Sequence, residues 1–134
     1  MKKLFKVSLA YTIFGLVAGV FYREFTKLNH YEGFTSLKEV HPHIFVLGSL
    51  LFLILILFYK NGLIDLKAKN FRRFFYLYNT AFPLMVGSLV YKGVMQVLGK
   101  TFESMPFLIL TGLFHIFVAI ALLFLYRAIY EEIQ

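Results

Sequence analysis

Charged residues divide the chain into four long uncharged, mostly apolar runs, at 7–22, 40–59, 74–91 and 104–126, of 16, 20, 18 and 23 residues. Crossing the hydrocarbon core of a bilayer takes about 20 apolar helical residues, within a range of roughly 17–25. The first run approaches that length by taking in Leu4 and Phe5, with Lys6 snorkelling to the headgroups. The third continues past Lys92 through GVMQVLG to Gly99. The pattern predicts an all-α fold, a four-helix transmembrane bundle forming a single membrane domain over 1–134. Its spans are expected at about 4–22, 40–59, 74–98 and 105–127. MKKLFK before an apolar stretch also fits a signal peptide, but LVA at 16–18 is a poor cleavage site, so an uncleaved first span is expected.

The connections between the runs are short and predict no extramembrane domain, which leaves function among the helices. Asn61-Gly62 is a turn signal after the second span. Pro83 lies inside the third, where it leaves the Asn79 carbonyl without its usual donor and predicts a kink. Gly15 and Gly19 form a GxxxG on the first span, a pattern for close helix packing or oligomerisation. Nine Lys and Arg fall on the side of the termini and the 60–73 loop, against five on the side of the 23–39 and 99–105 loops. By the positive-inside rule both termini are expected in the cytoplasm of a multi-pass protein of the cell membrane.

Composition agrees. The chain is 60% hydrophobic and 16% charged, with 17 Phe and a mean hydropathy of +0.74. So short a soluble domain could not hide that much apolar surface. The absence of cysteine excludes a disulfide scaffold and any thiolate-ligated site. The net charge of +7 comes mostly from cations at the ends of apolar runs, where they anchor helices, and no basic stripe with stacking aromatics points to nucleic acid.

Ionisable residues within a membrane are costly and are functional candidates by default. His41 and His43 open the second span, with Arg23 and Glu24 at the same level on the first. Lys92 and Gln96 lie near the outer end of the third span, Lys92 about 9–10 Å in at ~1.5 Å per residue. His115 lies about 13 Å deep in the fourth by the same rise. The inner half, with FLILILF at 52–58 and VAIALLFL at 118–125, reads as nearly free of polar groups, so a polar site opening outward is expected. In His41-Pro42-His43 the proline suits a first helical turn, and residues two apart point about 200° apart, so the two imidazoles address different sites. Imidazole-only ligation favours haem, with copper less favoured and zinc or calcium disfavoured. The Phe-rich interior would cover a porphyrin face, while Arg23, Lys38 and Lys92 would pair with its propionates. Bland readings stand beside these: His41 as an interfacial ring, His115 as an interhelical hydrogen-bonding group, Arg23–Glu24 as an end pair, Lys92 snorkelling outward. Serine-nucleophile, Walker-type and HExxH patterns are absent, so no catalytic residue is assigned.

GVFYREFTK at 19–27 and HPHIFVLG at 41–48 resemble a bacterial four-span membrane family of unknown function, over nearly the whole chain. HPHIFVLGSLLFLI also looks like the histidine-bearing helices of the catalytic subunit of haem–copper oxidases and nitric oxide reductases. There an H-x-H pair serves two haems, within three four-helix arcs around a pseudo-threefold axis. That resemblance implies haem b on His43 first and His41 second, and a homotrimer as the symmetric counterpart. His115 or a neighbouring subunit's histidine would be the second ligand, and the role would be electron transfer to an unspecified redox partner, or haem or gas sensing. A small transporter or channel subunit, or a cofactor-free assembly subunit, is the alternative.

Overall fold

A computed structural model describes residues 1–100 and 104–134, so the predicted outer loop at 99–105 lies partly outside the described residues. Four long helices organise the chain: α1 (Lys2–Leu28), α2 (Leu37–Lys60), α3 (Lys69–Val97) and α4 (Met105–Glu132). Among the described residues there is no strand. Most helix ends overrun the predicted spans, because the flanking Arg, Lys and Glu are good helix formers whose heads reach water. α1 thus has 27 residues, about 40 Å at the usual rise.

α1, α2 and α4 are each long and apolar enough to cross a membrane. α3, 29 residues long, is not among them, since Tyr76, Tyr78, Asn79, Thr80, Pro83 and Ser88 interrupt its apolar middle. It forms the centre of the packing instead: Phe74, Tyr78 and Phe82 are fully buried, with Phe52 of α2 beside them. α1 lies antiparallel on α2, the start of α2 meets the end of α3, and α4 packs along α3. Lys3 over the Phe75 ring and Asn70 bonded to Glu131 bring the two termini to one end of the bundle.

Close approach depends on glycine. The GxxxG of α1 faces α2 within the same chain: Gly15 abuts Ile44 and Phe45, and Gly19 abuts His41. Gly93 is tighter, since a Cβ there would lie 2.5 Å from the Leu37 backbone nitrogen. Three helices end in the same 6→1, 5→2 cap, with left-handed residues at His30, Gly62 and Gly99. The Asn61-Gly62 turn is therefore as expected.

Pro42 departs from expectation. α2 begins at Leu37, four residues ahead of His41, so Pro42 sits inside the helix instead of in its first turn. It cannot donate to the Lys38 carbonyl, and from Ile44 to Leu50 the helix takes the wider π form. α3, by contrast, continues as α-helix through Pro83 to Val97.

Candidate functional site

The H-x-H pair stands in the α-helical start of α2, and its two rings have different surroundings. His41 packs at Gly19 of α1, and its Nδ1 is buried without a hydrogen-bond partner among the described residues. His43 is half-buried, its Nδ1 2.6 Å from the Glu39 carbonyl oxygen. That contact makes Nδ1 the protonated nitrogen and leaves the Nε2 lone pair free. His115 has the same arrangement on α4: Nδ1 lies 2.8 Å from the Thr111 carbonyl, and the side chain is exposed. Among the described residues neither Nε2 has a hydrogen-bond partner, and the His43 Nε2 is not a buried atom. An imidazole whose Nδ1–H is held by a carbonyl and whose Nε2 is bare is in the state metal-ligating histidines adopt. Among the described residues no three metal-ligating side chains come together. A haem asks for only two, since the porphyrin supplies the other four donors.

The other polar residues expected at that end of the bundle do not converge on the histidines. Arg23 pairs with Glu24 at 3.6 Å, both largely in the open. Gln96 accepts the Ser36 backbone N–H at 2.7 Å, and Thr35 donates to the Gly93 carbonyl at 2.9 Å. These contacts clamp the start of α2 to the end of α3, so Gln96 is a structural residue. Lys92 is half-buried on α3 and has no ion pair among the described residues.

A cavity of about 360 Å³ is bounded by Phe14 and Phe21 of α1, Val40 and Ile44 of α2, and Pro83 and Gly87 of α3. Its wall is almost wholly apolar, and His41, His43, His115, Arg23 and Lys92 all lie outside it. The expected site residues stay distributed over the four helices, Arg23 on α1, His41 and His43 on α2, Lys92 on α3 and His115 on α4.

The expectation of a nearly apolar inner half needs correction. Ser8, Thr12 and Ser49 form a hydroxyl cluster, with Thr12 Oγ1 2.6 Å from Ser49 Oγ and Ser8 Oγ donating to the Ser49 carbonyl at 2.9 Å. Tyr11 donates to Asn79 Oδ1 at 3.0 Å, and Tyr78 to the Leu47 carbonyl at 2.6 Å. Ser8 lies about 9 Å along α1 from Lys2, well inside the terminal half. Counting charges passed over these neutral polar residues; the i, i+3, i+4 spacing of Ser8, Tyr11 and Thr12 was the available signal. Their oxygens bond to one another and to π-segment carbonyls, which makes them helix-to-helix adhesive.

No curated protein and no solved structure matches the chain. A family profile described as protein of unknown function (DUF2871) matches residues 1–132, and the chain belongs to that family.

Proposed function

We propose that the chain is a four-span haem b protein of the bacterial cell membrane, both termini cytoplasmic, that carries electrons or senses haem or a diatomic gas. His43 of one subunit and His115 of a neighbouring subunit supply the axial ligands of a haem held between subunits. The supporting observation is the shared state of the two rings: each ties Nδ1 to the carbonyl four residues back and leaves Nε2 bare at the surface of an apolar helix. A ring nitrogen facing hydrocarbon alone loses its hydration without compensation, so a partner from outside the chain is called for. Exposed Leu113, Ile116 and Phe117 around His115 are suited to cover a porphyrin face. His41 lacks a carbonyl for its Nδ1 and is the weaker ligand. Lys92 and Arg23 are the cations proposed for the propionates. When bound, such a haem exchanges one electron at iron.

Joining α2 of one copy to α4 of the next is a head-to-tail contact, which closes into a ring, here taken as a trimer. The fourth span is α3, whose 29 residues reach about 43 Å between α2 and α4.

Haem content of purified variants tests the reading. His43→Ala and His115→Ala should each lose bound haem, while His41→Ala should keep it. Full haem in His43→Ala contradicts the ligand assignment. A haem-free protein that co-purifies with a fixed partner would favour the assembly-subunit alternative.

A further inference from the structure

At the end of the bundle that carries the termini, α1 and α3 both begin against their own electrostatics. A helix N-terminus presents unpaired N–H groups equivalent to roughly half a positive charge and favours an anion nearby. Neither helix has an acidic residue in its first turn, and neither has a capping side chain. Lys2 and Lys3 open α1, and Lys69 and Arg72 stand in the first turn of α3. Cations have been added where the backbone is already positive.

Between these two ends lies a cavity of about 140 Å³. Leu4, Leu66, Phe71 and Phe75 wall it, Lys3 and Arg72 contribute its charge, and no carboxylate lines it. Lys3 is held at the edge, its Nζ 4.3 Å from the centre of the Phe75 ring and 5.2 Å from that of Tyr76. Arg72 has no ion pair among the described residues, whereas Arg23 and Arg127 each have a glutamate. Asp65, the nearest acid in sequence, uses Oδ1 to accept the Lys67 N–H at 2.9 Å. A topology signal needs cations anywhere on this side; it does not call for two of them at one apolar-walled cavity between two uncapped helix ends.

We propose that this cavity binds the phosphate of an anionic membrane lipid. Lys3 and Arg72 are its counter-charges, Arg72 with a planar fork suited to two phosphate oxygens. Leu4, Leu66 and Phe75 take the first carbons of an acyl chain. Free phosphate shares the charge chemistry but leaves the apolar wall unused. The site is independent of the haem reading and needs only that these helix ends lie at the membrane interface.

The full chain, purified in mild detergent, is titrated with phosphatidylglycerol, phosphatidylcholine and inorganic phosphate, and bound molecules are counted by native mass spectrometry. Phosphatidylglycerol should saturate a site that phosphatidylcholine does not fill. Lys3→Gln with Arg72→Gln should weaken it about thirtyfold, at about fivefold per cation. Lys3→Arg with Arg72→Lys should retain most of the binding. Lys6→Gln with Lys67→Gln, which removes as much charge from outside the cavity, should change it little. Equal losses in the two Gln pairs, or equal binding of the two lipids, would overturn the proposal. Inorganic phosphate that displaces the lipid at comparable concentration would overturn the lipid assignment.

Discussion

His30 holds a left-handed backbone position, φ 49°, where the other two caps of this kind carry glycine. That conformation costs an L-residue about 1–2 kcal/mol, and glycine recovers it less roughly 0.5–1 kcal/mol of extra chain entropy. His30→Gly should therefore raise stability by about 0.5–1 kcal/mol, read as a higher unfolding midpoint in detergent; an unchanged or lower midpoint would count against the strain. The glycines of α3 give a sharper contrast. At Gly93 a Cβ would meet backbone, which no side-chain rotation relieves, and the Thr35 and Gln96 clamps would be pushed apart. Gly93→Ala should cost on the order of 1–3 kcal/mol. Gly87→Ala meets open space and should be neutral or stabilising by up to ~1 kcal/mol of helix propensity. Equal effects at both positions would contradict the packing described. The sequence marked Gly62 through its Asn-Gly pair, but nothing in the letters separates Gly93 from Gly87, because the difference is made by Leu37, 56 positions away.

At the scale of elements, the four helices were legible because uncharged runs of 16 to 23 residues have few other uses. Their ends were less so, since snorkelling residues continue a helix beyond its apolar run. The π segment was hidden for another reason: its cause, Pro42, reads as a helix start when the preceding turn is polar. That segment offers the Leu47 and Ser49 carbonyls to Tyr78 and Ser8, so local irregularity and helix association are one feature. Thr12→Val removes the 2.6 Å contact with Ser49 at nearly constant volume. It should lower stability by about 0.6–1.7 kcal/mol, the range of interhelical hydrogen bonds in membranes, measured by unfolding in detergent. No loss at all would mean that the cluster contributes nothing to association.

The whole molecule is where sequence and structure differ most. Position along each helix was readable, and it put His43, His115, Arg23 and Lys92 toward the same end of the chain's helices. Direction around each helix was not, because it depends on which neighbour each face meets. The bundle buries His41 against Gly19, leaves His43 half-buried and leaves His115 exposed, which favours the between-subunit alternative over a site within one chain. Since the chain has no cysteine, His43→Cys with His115→Cys gives a clean test of that geometry. A bifunctional thiol reagent long enough to bridge the space left by the haem, which a direct disulfide could not span, should yield cross-linked dimers and trimers, while monomers alone would contradict the ring. The most direct measurement is the visible absorption spectrum of the protein purified in mild detergent from haem-supplied cells, oxidised and then reduced. The expected result is a Soret band with sharp reduced bands of a haem held by two imidazoles, lost in His43→Ala. A featureless spectrum after haem supply would contradict it.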